Sequence, residues 1–185
     1  YGSISGVTYR NIPSVLKSTY SASYPIICIK DYDRKYYALV RCGLGTSITF
    51  IISASPSNVL RLHEVAVENW ASIIKDIHDG TLREDVAEEL EPSARAEVMA
   101  QFRPDRKRAA FLEKIMRQEG ERLRPKHYWP KLACVNMWRQ GSFAVMIPKF
   151  EGYFPAQTAI RAFGYWASEF RGGFVLGNDW EHSVL

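Results

Sequence analysis

Ile48-Thr49-Phe50-Ile51-Ile52-Ser53-Ala54-Ser55-Pro56-Ser57-Asn58-Val59-Leu60-Arg61-Leu62 is the stretch on which the fold turns. Residues 48–52 are a short run of β-branched and aromatic side chains, the composition of a buried strand. Ser55-Pro56 then starts a helix, because the serine hydroxyl can cap free amides and proline at the first helical position gives up no hydrogen bond. Val59, Leu62, His63, Ala66, Trp70, Ile73, Ile74 and Ile77 fall on one face of that helix, and Asp79-Gly80 ends it. His63 reads as a packed structural histidine, since no partner carboxylate or nucleophile is indicated beside it. A strand that runs into a long amphipathic helix is the building unit of a layered α/β sheet.

The same alternation continues on both sides. Upstream, residues 24–30 (Ile26, Ile27, Ile29) read as a short buried strand bounded by Pro25 and Asp31. Asp31 is a helix N-cap, followed at helical spacing by Tyr36, Leu39, Val40 and Leu44, with Gly43 and Gly45 as the stop. Gly43-Leu44-Gly45-Thr46-Ser47 has the look of a phosphate loop, but it closes a helix instead of opening one and reads as the helix stop. Downstream, residues 82–123 are charged and helical, divided by Pro92 and Pro104, and Ala109, Leu112, Ile115 and Met116 give the last piece a narrow apolar stripe. His127-Tyr128-Trp129-Pro130 is an aromatic loop, residues 133–137 are a strand, and Gly141-Ser142 opens another amphipathic helix through Phe150. Residues 158–163 form a last interior strand that runs into Gly164-Tyr165. Arg171-Gly172-Gly173 and Gly177-Asn178-Asp179 are turn chemistry, most simply a hairpin around Phe174-Val175-Leu176. The predicted class is therefore α/β, a layered β-sheet flanked by helices.

Composition narrows the function classes. The chain has 185 residues, 46% hydrophobic and 24% charged, the balance of a globular domain with a real core. Its apolar runs are far shorter than the roughly 20 residues of a membrane-spanning helix. Cys28, Cys42 and Cys134 are odd in number and set among apolar residues, which points to buried thiols in a reducing, cytoplasmic compartment. No Cys-x-x-Cys or His-Glu-x-x-His spacing is present, so no zinc is expected. The net charge of +4 hides a dipole: acids crowd residues 76–100 and bases crowd residues 101–131. Opposed neighbouring blocks suit pairing along a solvated helical face. The rival reading is a nucleic-acid-binding module that uses the basic block, with Tyr128 and Trp129 as stacking platforms.

Gly164-Tyr165-Trp166-Ala167-Ser168-Glu169 carries the most chemistry. In α/β sheets ligands gather where strands end. Here a strand runs into a glycine, an aromatic ring, a small residue, a hydroxyl and a carboxylate. Tyr165 can lie against a purine, Gly164 and Ala167 let backbone approach it, Ser168 can hydrogen-bond a phosphate, and Glu169 can hold Mg²⁺, a hard cation that takes carboxylate and phosphate oxygens. The spacing itself is common, and on periodicity alone a plain loop is the simpler reading.

The aromatic-x-x-Ser-Glu segment resembles the second nucleotide-binding motif of the adenylate-forming enzymes. Its surroundings resemble more specifically the auxin-responsive family of acyl acid-amido synthetases, in the divergent branch outside plants. The segments that carry this are Tyr36-Tyr37-Ala38-Leu39, Ser55-Pro56-Ser57-Asn58-Val59-Leu60-Arg61-Leu62, Trp70, Asp76-Ile77-His78-Asp79-Gly80-Thr81-Leu82, Tyr128-Trp129-Pro130-Lys131-Leu132, Trp138-Arg139-Gln140-Gly141-Ser142 and finally residues 165–169. They stand in the order that family shows and cover most of the chain from residue 24 onward.

The resemblance implies an enzyme that uses ATP and Mg²⁺ to convert a carboxylic acid into an acyl-adenylate, then passes the acyl group to an amine, commonly that of an amino acid. It implies nucleotide contacts at Gly164, Tyr165, Ala167 and Ser168, a metal contact at Glu169, and Gly141-Ser142 as a turn near the acyl pocket. The family's Ser/Thr/Gly-rich phosphate loop, its later ribose-binding aspartate motif and its C-terminal domain have no counterpart in this sequence. Trp166 is also bulkier than the nucleotide side of the motif would suggest. The 185 residues are thus expected to be a single partial domain, an internal piece of a large ATP-binding domain that is inactive alone and partnered by the rest of its own longer chain, with no nucleic acid and no membrane. A family-like domain that has lost its chemistry and serves in assembly is the remaining alternative.

Overall fold

The computed structural model describes residues 11–164 and the strands Phe174–Val175 and Ser183–Val184. In chain order the strands and the helices of ten residues or more are α1 (Tyr32–Leu44), β1 (Phe50–Ile52), α2 (Pro56–Glu68), α3 (Trp70–Asp79), α4 (Pro92–Gln101), α5 (Arg106–Glu119), β2 (Cys134–Asn136), a 3₁₀ helix over Gly141–Phe150, β3 (Ala159–Arg161), β4 (Phe174–Val175) and β5 (Ser183–Val184). They divide into two compact units, one of residues 1–46 and 62–122, the other of residues 47–61 and 123–185. The mixture of helices with a small parallel sheet is the α/β class expected from the sequence.

The first unit is helical. The Asp31 carboxylate accepts from the Arg34 amide at 2.8 Å, the predicted N-cap of α1, and α1 stops at Leu44 with Gly45 as its C-cap. α3 and α5 pack together, burying Ile73, Ile74 and Ile77 with Ala109, Leu112 and Ile115. α3 ends as read from Asp79-Gly80: Gly80 adopts φ +71° and its amide and that of Thr81 both bond the Asp76 carbonyl. The close approach of Pro104 adds a second reason for glycine, since a Cβ at position 80 would lie 2.5 Å from the Pro104 nitrogen. Pro92 and Pro104 divide residues 82–123 as expected, Pro92 standing at the start of α4.

Two expectations about this unit are corrected. Residues 24–30 are not a strand: Tyr24–Ile27 is a helical turn that Pro25 starts, and Ile26 and Ile29, three apart, are the residues buried. An apolar run this short does not distinguish period two from period three, and the proline decides it. The long helix from Pro56 is interrupted at Asn69 (φ −115°, ψ 18°), where the Val65 carbonyl accepts from both the backbone amide and the side-chain amide of Asn69, each at 3.1 Å.

Opposite charges do pair, but in a different pattern from the one expected. Arg34 of α1 binds Asp85 and Glu89, Arg83 binds Asp85, and Lys75 binds Asp79. These acids take their cations from α1, from α3 and from within their own block.

The second unit holds a three-stranded parallel sheet in the order β1-β2-β3, with Cys134 between Phe50 and Ala159, and Asn136 between Ile52 and Arg161. All three strands lie within the predicted segments. Crossovers of this length between parallel strands are what the alternation of strands and helices implied. The segment opened by Gly141 is helical but of 3₁₀ type, and Pro148 inside it removes a donor that an α-helix would use. Phe150, Tyr153 and Phe154 form a buried aromatic cluster behind it. β4 and β5 pair antiparallel, Phe174 with Val184. Among the described residues no helix is long and apolar enough to cross a membrane.

Candidate functional site

Parallel strands deliver all their carboxyl ends to one edge of a sheet, and three chain segments meet there in the second unit. Beyond β1, the Ser53 amide continues the ladder to the Asn136 carbonyl at 2.9 Å, and the Ser53 hydroxyl donates to the Ser55 carbonyl at 3.0 Å. The Ser55 hydroxyl accepts from the Ser57 amide at 3.2 Å and lies 2.6 Å from the Ser57 hydroxyl. The first turn of α2 is therefore capped by the serine that the sequence singled out.

Beyond β2, the Met137 amide bonds the Arg161 carbonyl at 3.0 Å and the Trp138 amide bonds the Ala54 carbonyl at 3.2 Å, so this connection is stitched to both neighbours. The Trp138 ring stacks on Phe143 at 5.8 Å and meets Phe163 edge-on at 6.1 Å. Arg139 donates from Nη1 to the Ile160 carbonyl at 2.8 Å, while its Nε is buried and has no hydrogen-bond partner among the described residues. The same holds for Asn136 Oδ1. Gly141 (φ +62°) and Ser142 follow on the surface.

Beyond β3, Phe163 is buried and Gly164 turns the chain with φ +80°. β2 and β3 are neighbours, so two of the expected contributions, Gly141-Ser142 and Gly164, leave adjacent strands at the same end of the sheet. Tyr165, Ala167, Ser168 and Glu169 lie outside the described residues, as does Trp166. The metal contact assigned to Glu169 therefore stands on the sequence. Among the described residues no group of three or more His, Cys, Asp or Glu could hold a metal ion.

Cys134, in the row of Phe50 and Ala159, is no nucleophile in waiting: burial pushes its thiol up, against the opposing pull of Arg161, and keeps it protonated at neutral pH. The stacking platforms of the nucleic-acid reading are likewise ruled out. Tyr128 and Trp129 are 1% and 6% exposed and contact each other edge-on, so neither face is open to a base.

Three features at this edge carry no motif a sequence reader would extract: the Trp138–Phe143–Phe163 wall, the Arg139 tie to β3, and the orphaned Asn136 oxygen. Trp138 and Arg139 stood inside a quoted segment, but only the strand register reveals what they touch.

The motif segments also include a polar cluster with no place at the strand ends, within the helical unit. The Asp76 carboxylate, 7% exposed, accepts from the Tyr37 hydroxyl (2.7 Å), the Thr81 hydroxyl (2.8 Å) and the Arg83 amide (2.9 Å). Arg41, 5% exposed, donates from Nε to the Thr81 carbonyl (2.9 Å) and from Nη2 to the Asp76 carbonyl (3.1 Å), with its guanidinium over the Phe102 ring. Arg83 lies over the Tyr37 ring at 4.2 Å. Burial, reinforced by Asp76, pushes the Tyr37 phenol well above its ordinary range, so it stays a donor. Residues 36–39 and 76–82, two of the segments that carry the family resemblance, thus meet in one hydrogen-bonded structural lock around the C-terminus of α3.

Comparison with known proteins agrees with this architecture. Residues 1–159 match the GH3 family N-terminal domain. The chain is 25% identical over 138 residues to the indole-3-acetic acid-amido synthetase GH3.4 of Arabidopsis thaliana, covering 74% of this chain and 23% of that protein. It is 22% identical over 147 residues to GH3.6 of the same plant, covering 78% and 24%. Among solved structures it resembles the GH3.15 acyl acid amido synthetase with a TM-score of 0.65 at 20% identity, over 83% of this chain and 27% of that one. A complex of AtGH3.15 with 2,4-DB gives 0.59 at 19% identity, over 73% and 24%. The chain thus spans about a quarter of the length of the curated relatives it matches.

Proposed function

The chain belongs to the GH3 family, and from that premise we propose that it is a portion of an ATP-dependent acyl acid-amido synthetase acting in the cytoplasm. The observation that carries the reading is the delivery of Gly141-Ser142 and Gly164 to one end of the sheet by adjacent parallel strands, with the Tyr-x-x-Ser-Glu segment next in sequence.

In this reading a carboxylate oxygen of the acid attacks the α-phosphorus of ATP, the bond to the β-phosphate oxygen breaks, and pyrophosphate leaves. The amine of an amino acid then attacks the acyl carbon, losing a proton, and AMP departs. Such displacement is catalysed mainly by positioning and by charge stabilisation. Tyr165 supplies a face for adenine, Gly164 and Ala167 let the backbone come close, and Ser168 hydrogen-bonds the nucleotide. Glu169 would hold Mg²⁺, which when bound would supply countercharge to the phosphate oxygens. Gly141 and Ser142 border the acid. The positive φ of Gly164 supports this, because the turn frees the backbone of a Cβ at the point where it would approach the nucleotide. The remaining parts of the active site belong to polypeptide beyond these 185 residues, so this portion alone is inactive.

The test is carboxylic-acid-dependent ATP–pyrophosphate exchange by the full-length protein. Exchange is expected with some members of an acid panel, and Glu169→Gln should lower it about 100-fold or more. No exchange with any acid, or full exchange by the variant, overturns the assignment.

A further inference from the structure

We propose that the helical unit carries two complementary charged faces, one on α5 and one over residues 84–97, through which a second copy of this chain docks. The inference is independent of the reaction, and its starting point is the pairing that residues 76–131 do not make within one chain. In α5, Arg106, Lys107, Lys114 and Arg117 are all exposed. At 3.6 residues per turn they fall on one side, with Ala110 between them, opposite the buried stripe of Ala109, Leu112 and Ile115. They span about 16 Å at 1.5 Å per residue. None of the four makes an ion pair among the described residues. Arg117 donates from Nε to the Glu113 carbonyl at 3.4 Å, and the Glu113 carboxylate, at the margin of this side, pairs with none of them.

The acidic block has the same property. Asp85 and Glu89 are taken up by Arg34 and Arg83. Glu84, Glu88, Glu91 and Glu97 are exposed and make no ion pair among the described residues, and neither does Arg95, half-buried among them. The two sets are mounted on different neighbours. The helical turn Glu84–Ala87 packs against α1, and α4 packs against the turn Tyr24–Ile27, whereas α5 packs against α3. Four cations and four carboxylates of one unit thus stay apart in a single copy.

Charge complementarity selects the occupant. A nucleic acid or an anionic membrane would neutralise α5 but meet the exposed glutamates of the same unit with like charge. A membrane would also find only Ala110 as an apolar residue between the α5 cations, with nothing to insert. A second copy presents carboxylates to α5 and cations to residues 84–97, so one partner neutralises both sets. Exposed ion pairs are individually weak, but a two-fold contact makes each pairing twice and a head-to-tail contact repeats it along a row of copies. The association is therefore weak, steered by charge and screened by salt.

The experiment is sedimentation velocity on the full-length natural protein at about 50 mM and about 500 mM salt, over about a hundredfold range of protein concentration. The wild type is expected to self-associate at the lower salt, with a dissociation constant raised about tenfold or more at the higher. Lys107→Glu with Lys114→Glu, and separately Glu88→Lys with Glu91→Lys, should each leave a monomer with unchanged circular dichroism. An equimolar mixture of the two variants should associate again, because each reversed face then meets its complement. The milder pair Lys107→Ala with Lys114→Ala should weaken association in the same direction. A wild type that stays monomeric at low salt overturns the proposal, as does association that either charge reversal leaves intact or that the mixture fails to restore. A monomeric wild type that binds a DNA duplex, with the binding lost in Lys107→Glu with Lys114→Glu, overturns it in favour of a polyanion.

Discussion

The Asp76–Arg41 cluster of the helical unit and the strand ends of the sheet unit hold their buried polar groups in different ways. Among the described residues of the helical unit the two buried charged side chains, Asp76 and Arg41, are bonded in a closed set of contacts that involves Tyr37, Thr81 and Arg83. Among the described residues, Asn136 Oδ1 and Arg139 Nε at the strand ends are buried without hydrogen-bond partners, as is Ser23 Oγ in the helical unit, and half-exposed apolar side chains occur in both units, Phe50 and Ile52 in one, Leu16 and Val67 in the other. Buried polar groups in native proteins are nearly always satisfied, and large apolar side chains on parallel strands are nearly always covered. The contrast separates a buried charged cluster whose bonds close on one another from strand ends that hold two unpaired polar atoms. Those strand ends are also where the chemistry is expected.

The contrast is broken most directly at Asp76. Asp76→Ala strips the acceptor from the Tyr37 hydroxyl, the Thr81 hydroxyl and the Arg83 amide and leaves Arg41 without a neighbouring countercharge. Removal of one member of a buried charged network costs about 3–5 kcal/mol. Denaturant unfolding should show a loss of that size, the largest among single polar substitutions. A loss under about 1 kcal/mol would mean that water reaches the site and that the helical unit is not closed.

A smaller and graded effect comes from pH. Burial, and then the hydrogen bond to Asp76, hold the Tyr37 phenol above its ordinary value, and burial pushes the Cys42 thiol up to about 12. Both groups bind their protons more tightly folded than unfolded. Their contribution is fully present below the unfolded pKa values, about 8.5 for the thiol and 10 for the phenol, and is lost as pH rises above them. Stability should be flat from neutral pH to about pH 8 and then fall, with a limiting slope of about 1.4 kcal/mol per pH unit for each group. Cys42→Ala should remove the part that begins near pH 9. An unchanged slope in that variant would place the thiol in solvent.

How much of this was legible beforehand divides along the same line. Caps, stops and proline boundaries were readable because they are local: Asp31, Ser55-Pro56, Asp79-Gly80 and Pro92 each act within one turn of helix. The strands at 50–52, 134–136 and 159–161 were readable from β-branched runs. Residues 24–30 were not, because Ile26 and Ile29 fit two periods and the choice falls to Pro25. The break at Asn69 was invisible, since the apolar stripe continues through it and only the backbone angles of that one residue depart from the helix. At the candidate site, Gly141, Ser142 and Gly164 were readable as strand-end residues, whereas Trp138, Arg139 and Asn136 acquire their meaning from register across the sheet. Pairing between residues 25 apart in sequence leaves no local pattern to read.

The smallest effect sharpens the comparison most. Arg139 makes one hydrogen bond to the Ile160 carbonyl, and its Nε is buried without an acceptor. Replacement by methionine keeps much of the side-chain length, removes a hydrogen bond to a charged donor worth about 1.5–3 kcal/mol, and removes an unsatisfied buried donor that costs about 1–3 kcal/mol. The two contributions oppose and nearly cancel, so Arg139→Met should change stability by less than about 1 kcal/mol, although Arg139 is a tied-down cation like Arg41. The same substitution at Arg41, where both bonds and the Phe102 ring are satisfied, has no such compensation and should cost several-fold more. If Arg139→Met proves as costly as Arg41→Met, then the Nε has a partner in solution, and the sheet unit is as complete at its strand ends as the helical unit is around Asp76.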